Sequence, residues 1–285
     1  MEERVEGIVW RTYGIDGDFT GKTPMVILHG LFGAGGNWRS QATELGEGRP
    51  VFVADLPNHG GSDHTDEVAY SAVAARIWRS LDGLMSLPGM PGPEGGRSAG
   101  GATDISRIVL LGHSMGGKVA MAMAFARPSG VEQLIVADIA PRQYPPRHDE
   151  IFAAMEAVAE SAVGRRGEAD TIMERWIPEK AVRLFLLKSL VPGGGENGGY
   201  RWQLNLPGLK AGYEAIRDWP FSAETYDGPT LFIAGGKSPY IQVEDGEAIS
   251  RHFPDHRIET IPGAGHWLHA EARDAFLAVV RGTLS

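Results

Sequence analysis

Short apolar runs that break at glycine or aspartate set the strongest limit on how this chain can fold. They are MVILHG (25–30), PVFVADLP (50–57), RIVLLGHS (107–114), VEQLIVADIAP (131–141), TLFIAGG (230–236) and RIETIPGAGH (257–266). They are rich in Val, Ile and Leu and alternate little between apolar and polar residues. A strand with one wet face alternates; a strand buried on both faces does not. The pattern predicts a mostly parallel sheet covered by helices on both sides. Helical patterns fill the intervals. VAYSAVAARIWRSLDGLM (68–85) places Val68, Ala72, Ala75, Ile77, Leu81 and Leu84 near one face, and MGGKVAMAMAFA follows Ser114 directly. Strand and helix in alternation give an α/β fold with right-handed crossovers. VEGIVWRTYGI (5–15) precedes this series and reads as an antiparallel edge strand or hairpin.

The alternation breaks between residues 141 and 226. IFAAMEAVAESAV, DTIMERWIP and AVRLFLLKSLV follow one another as three helix-like segments. Pro178 stands where helices often begin, since its missing N–H is not needed in a first turn. The 285 residues, 42% of them hydrophobic, suit one core with an inserted subdomain better than two independent domains. The expected division is a core in two parts, 1–140 and 226–285, with a helical cap over 141–225. PGMPGPEGGRSAGG (88–101) and PGGGENGG (192–199) read as surface loops, because the strand pattern resumes after each. No internal repeat is visible.

Charge and composition remove several function classes. Asp and Glu number 36 against 27 Lys and Arg, a net of −9, and no basic cluster with interleaved aromatics stands out. Nucleic acid is not an expected partner, because phosphate neutralisation needs such patches. With no cysteine there are no disulfides, Fe–S clusters or Cys-based zinc sites. No histidine spacing suggests a metal site. The opening MEERVEGIVWRTYG is charged and lacks the apolar run of about seven residues that a secretory signal carries. No stretch reaches the roughly 18 apolar residues of a membrane span. The expectation is a soluble, cytoplasmic protein.

The chemistry centres on GHSMG (112–116), a G-x-S-x-G match. In a chain this rich in glycine the pattern alone decides little; its setting decides more. RIVLL enters it as a strand and KVAMAMAFA leaves it as a helix, which puts Ser114 on a sharp strand-to-helix turn. Such a turn needs small neighbours, and Gly112, Gly116 and Gly117 supply them. The helix N-terminus adds N–H groups and positive dipole for a developing negative charge. HGLFGAGGNW (29–38) follows the first long strand and brings backbone N–H groups close to a ligand. An oxyanion hole needs two donors about 3 Å from the oxygen that gains charge. The candidates are the N–H of Met115 and that of Leu31, with Phe32 as a substitute for Leu31.

Of the nine histidines, His266 follows a strand and a glycine turn late in the chain. A base there can swing over the C-terminal edge of the sheet to reach Ser114. His29 and His59 read as braces of their own loops, His269 as structural, and His113 as pointing away from its neighbour Ser114. The acid that orients His266 must be anionic and buried. The turn after TLFIAGG, where many serine hydrolases carry an aspartate, holds Ser238. Asp138 ends the preceding core strand, and its carboxylate can reach the imidazole from one strand over. Asp227 lies before its strand, at the wrong edge; Glu244 and Asp245 fall in the first turns of a surface helix. Ser238 is either a fourth member, bonded to Asp138 or His266, or only a turn residue before Pro239.

Together the order HGLFG, DLPNHGGS, GHSMGGK, Asp138 and GAGHWLHAE resembles the α/β-hydrolase superfamily. ADIAP, RHDEIFAAMEAV, FLLKSL and GGKSPY further resemble the YbfF-type bacterial acyl esterases and their mitochondrial relatives, over nearly the whole chain. The resemblance implies carboxylic ester hydrolysis, with acyl-CoA thioesters as suggested substrates. It also implies an acid after the sixth strand and a serine after the seventh, in agreement with Asp138 and Ser238. Short to medium acyl chains and no cofactor are expected. Phe32 and Trp202 are the expected substrate-binding side chains. Phe152, Met155, Trp176 and Phe185 are further candidates for an acyl wall, although each also suits ordinary core packing. The two Gly-rich loops depart from the family pattern, and Asn58 replaces the glycine of the wider superfamily's turn. Rival readings are a C–C hydrolase, a perhydrolase or a lyase on the same fold, and a non-catalytic receptor that uses the pocket. Halide cleavage is disfavoured, because its nucleophile would be aspartate in place of Ser114.

Overall fold

Along the central strands successive side chains part to opposite sides, and this parity builds two cores. In β3 (Met25–Leu28) Val26 and Leu28 enter one apolar cluster while Met25 and Ile27 enter another. The same split recurs in β5 (Ile108–His113), β6 (Val131–Ala137) and β9 (Thr230–Gly235), where Leu110, Val136 and Phe232 oppose Leu111, Ile135 and Ile233. Both faces are buried, which is why these runs do not alternate in sequence. The computed structural model describes residues 1–16, 21–90, 107–193 and 199–284.

The sheet has eight strands in the order β1-β2-β4-β3-β5-β6-β9-β10. The remaining members are β1 (Glu2–Val5), β2 (Ile8–Tyr13), β4 (Val51–Ala54) and β10 (His256–Ile261). β1 and β2 form the expected antiparallel hairpin, and β2 is also antiparallel to β4; every other pairing is parallel. The hairpin turn places Glu6 and Gly7 at φ 50° and 73°. Positive φ at both central residues matches the twist of the two strands. Helices α2 (Tyr70–Met85) and α3 (Met115–Ala126) pack on the first face, and α1 (Arg39–Leu45) packs on the second. In α2 the buried stripe is Ala74, Ile77, Trp78, Leu81 and Leu84; Ala75, expected there, is exposed, and Val68 precedes the helix. Trp78 turns the stripe, because burying its large ring outweighs burying a methyl group.

Between β6 and β9 the chain builds a separate apolar cluster above the C-terminal strand ends. Its helices are α4 (Asp149–Glu160), α5 (Arg166–Met173), α6 (Lys180–Leu186), α7 (Leu206–Ala211) and α8 (Tyr213–Arg217). Phe152, Met155, Met173, Leu186, Trp202 and Leu209 fill it, and Phe32 from the core joins them. α5 starts earlier than DTIMERWIP, where Glu168 accepts the N–H of Gly164 at 2.9 Å. Pro178 precedes the N-cap Glu179 of α6 and so stands just outside that helix. A short antiparallel pair, β7 (Leu190–Pro192) and β8 (Tyr200–Trp202), was not expected from the sequence. After β9 come α9 (Gly246–His252), α10 (Leu268–Glu271) and α11 (Arg273–Arg281), with α9 on the first face and α11 on the second. The Gly-rich stretch at 88–101 lies outside the described residues from 91 onward, as do residues 194–198 of the second one. Among the described residues no helix is long and apolar enough to cross a membrane.

Candidate active site

Parallel register brings the functional loops to one edge. Leu28 pairs with Gly112, Gly112 with Val136, and Ala137 with Ile233. The residues just beyond these ends, Leu31, Ser114, Asp138 and Ser238, therefore share one crevice at the C-terminal side of the sheet.

Ser114 turns the chain from β5 into α3 with φ 54° and ψ −124°. That left-handed backbone lifts Oγ clear of both elements. The turn closes because its neighbours lack side chains: a Cβ on Gly112 would lie 2.2 Å from the carbonyl oxygen of Gly116, and one on Gly116 would lie 2.4 Å from that of His29. The main-chain N–H of Ser114 donates to Ala137 O at 2.9 Å, and the N–H groups of Gly117 and Lys118 donate to Ser114 O. The nucleophile candidate is thus held by its own backbone.

His266 reaches it from the loop after β10. Its Nε2 lies 3.0 Å from Ser114 Oγ, and its Nδ1 lies 2.7 Å from Asp138 Oδ2. Asp138 is fully buried, also at positive φ (53°), and its carboxylate has three donors on it. Oδ1 accepts the N–H of Gly235 at 3.0 Å, and Oδ2 accepts the Ser238 hydroxyl as well as His266. Of the two partners considered for Ser238, the structure gives Asp138. The ring of Tyr240 stacks on His266 at 3.8 Å between centroids and 15° between planes. The other acid candidates stand apart: Asp227 and Glu244 are exposed, and Asp245 pairs with Arg142 at 2.6 Å.

The loop that carries Leu31 and Phe32 is fixed by two neutral histidines. His59 Nδ1–H donates to Pro57 O at 2.9 Å, which leaves Nε2 bare to accept the N–H of Phe32 at 3.2 Å. His29 repeats the arrangement, donating to Gly30 O at 2.8 Å and accepting from Leu56 N at 3.0 Å. Burial pushes His59 down to about 3 and also lowers His29. Phe32 N is therefore occupied. Among the described residues no hydrogen bond uses the N–H of Leu31 or of Met115, so these two remain free to meet an oxyanion. Phe32 itself has φ 63°, and its carbonyl accepts the Ser189 hydroxyl at 2.9 Å.

Two clefts meet at Ser114, Leu31 and His148. One runs past Phe32 to Val182, Phe185 and Trp267. The other runs past Met115 to Tyr144, Arg147, Tyr213 and Tyr240. His148 is held by Tyr213, 2.6 Å from its Nδ1, and burial lowers it to about 4. Trp202 faces neither cleft. It is buried among the helices above the sheet, with its indole N–H donating to Met155 O at 2.8 Å. Its indole fills the inserted region's own core, as do Phe152 and Met155; Phe185 alone of that group lines a cleft. Among the described residues no three His, Cys, Asp or Glu side chains converge as a metal site.

A serine on a strand-to-helix turn, bonded to a late histidine and through it to a buried aspartate, is the arrangement expected of one large group of hydrolases. Residues 25–279 match the alpha/beta hydrolase family. The chain belongs to that family. Within it, the chain is similar to "Esterase YbfF" of Escherichia coli (strain K12), with 36% identity over 264 residues, 92% of this chain and 93% of the relative. It is also similar to the "sn-1-specific diacylglycerol lipase ABHD11" of Mus musculus, 37% identical over 95% of this chain and 83% of the relative. Among solved structures the "Marine microorganism esterase" superposes with a TM-score of 0.83 at 33% identity, covering 96% of this chain and 98% of that one.

In this alpha/beta hydrolase the sequence reading named the residues that meet at the strand ends, but not those that surround His266. Tyr240 and His148 were missed. Their signal was positional only: Tyr240 lies two residues beyond Ser238, and His148 is the N-cap of α4.

Proposed function

We propose that this protein is a serine hydrolase that cleaves carboxylic esters of short to medium acyl chains through an acyl-enzyme. The observation that carries the reading is the unbroken chain Ser114 Oγ, His266 Nε2, His266 Nδ1, Asp138 Oδ2, with contacts of 3.0 and 2.7 Å. His266 takes the proton of Ser114 as Oγ attacks the acyl carbon. The N–H groups of Leu31 and Met115 receive the oxyanion. His266, held in one tautomer by Asp138, then protonates the leaving alkoxide, and water repeats the sequence on the acyl-serine. Only side chains, backbone and water are used. Ser238 supports Asp138 from the side opposite Gly235.

Residues 141–225 act as a cap in this reading. The two clefts beneath it give the acyl and alcohol portions separate paths from Ser114, with Phe32 and Phe185 on one wall. A thioester fits the same chemistry, since a thiolate leaves without a change in the machinery. The test is a pre-steady-state run with p-nitrophenyl butyrate. A burst of p-nitrophenol, an intact-mass increase of one butyryl group and the loss of both in Ser114→Ala are expected. Equal rates for wild type and Ser114→Ala would sink the esterase reading, and turnover without a trapped acyl group would overturn the acyl-enzyme in favour of direct attack by a water that His266 activates.

A further inference from the structure

The ring of His113 points away from Ser114, and it ends on the catalytic loop. Its Nε2 lies 2.8 Å from the main-chain carbonyl oxygen of His266. A carbonyl only accepts, so Nε2 carries the proton. Among the described residues that carbonyl has no other donor.

We propose that His113 is a positioning residue, which holds the backbone of His266 and so sets the distance from its imidazole to Ser114. This rests on the serine-hydrolase reading of the site. Asp138 fixes the His266 ring at Nδ1, Tyr240 stacks on it, and Glu271 accepts the main-chain N–H groups of Gly265 and Trp267 on either side. His113 adds the one hydrogen bond, among the described residues, to the main chain of His266 itself, at its carbonyl. Its own place is rigid: it is the last residue of β5, paired with Ala137 in the sheet, and it is only 3% exposed. Its ring lies 4.8 Å from that of His266 and 4.6 Å edge-on from that of His269. His269 in turn stacks on Trp38 at 4.3 Å and 10°. Burial pushes His113 well below the usual histidine range, so the ring stays neutral. One strand end thus carries both the nucleophile and the brace of its base.

The site offers no role for His113 as an acid or base, because its donor is spent on a carbonyl. Its effect should fall on turnover and not on binding. A displacement of about 1 Å in a reacting group costs roughly a hundredfold in rate. The experiment compares wild type, His113→Phe and His113→Gln. The phenyl ring keeps the packing and removes the donor; the glutamine amide restores an N–H at similar reach. His113→Leu replaces His113→Phe if the ring does not settle beside Gly30. The readouts are kcat and KM with p-nitrophenyl butyrate, and the far-downfield proton NMR signal of the His266 Nδ1–H bonded to Asp138.

The expected result for His113→Phe is kcat lowered about 10- to 100-fold, KM within about twofold and a broadened downfield signal. His113→Gln should recover most of both. Wild-type turnover with an unchanged signal in His113→Phe would overturn the inference. So would a His113→Gln variant as slow as His113→Phe at the same melting temperature. Ser114→Ala separates the two readings: it should lose turnover and keep the signal. If wild type hydrolyses no ester, the functional reading fails by itself, and the signal in His113→Phe still decides whether His113 holds the loop.

Discussion

Asp138 is a buried carboxylate with three donors on it and one imidazole to orient. Asp138→Asn keeps the shape and removes the charge, so the wrong His266 tautomer becomes available. Turnover with p-nitrophenyl butyrate should fall by about 10⁴ while circular dichroism stays unchanged. Ser238→Ala removes a single bond to that carboxylate, and two donors remain. A hydrogen bond to a charged group contributes about 1.5–3 kcal/mol, so a loss of about 10- to 150-fold is the most that is expected. A loss in Ser238→Ala as large as that in Asp138→Asn would make the serine an equal partner. The residues that meet at the strand ends were legible because chemistry restricts their type: a nucleophile on an elbow, a late histidine, an anion one strand over. Trp202 was misplaced for the converse reason. An aromatic side chain fits a core and a substrate wall equally well, and only the fold decides that its indole caps Met155 O.

At the scale of elements, the turn between β5 and α3 has no room for side chains on Gly112 and Gly116. Gly116→Ala would drive a Cβ to 2.4 Å from His29 O and 2.5 Å from Leu28 O, both backbone atoms. Overpacking of this kind costs about 1–3 kcal/mol or more. Urea titration should show that loss, and activity should fall with it, because the displaced backbone carries the N–H of Met115. Unchanged stability would mean that the elbow yields more than its contacts suggest. The parallel strands were readable because two-sided burial leaves unbroken Val, Ile and Leu runs. The region between β6 and β9 was less so. Three of its helices could be placed roughly, but β7 and β8 have three residues each, too few to show a period of two. In α2 the sequence reading holds for Ile77, Leu81 and Leu84 but puts Ala75 where Ala74 is buried, since alanines give a weak stripe and Trp78 sets its centre.

At the scale of the molecule, the region between β6 and β9 is tied to the helix that follows Ser114 by a buried lysine. Lys118 lies on α3 one turn after Ser114, and its Nζ donates to Arg217 O at 3.1 Å and Asp218 O at 2.7 Å. Burial lowers its pKa from 10.5 to about 7. Between those values the unfolded chain holds a proton that the folded chain has released, so stability rises with pH across the window and is lost as pH falls through about 7. Lys118→Met lacks this slope. Urea denaturation from pH 7 to 10 should show wild type gaining stability relative to Lys118→Met, and parallel curves would contradict the assignment.

The strand order has a consequence for how the protein is made. β9 is buried along its whole length and lies between β6 and β10. β10, the strand that follows β9 in the chain, carries exposed Arg257 and half-buried Glu259 at the outer edge of the sheet. Charges of this kind discourage strand addition by a second chain. Until β10 leaves the ribosome, TLFIAG is an uncovered apolar border without such protection. Chains stopped just before His256 should collect in the insoluble fraction, because a neighbouring chain can then reach the border of β9 that β10 would cover.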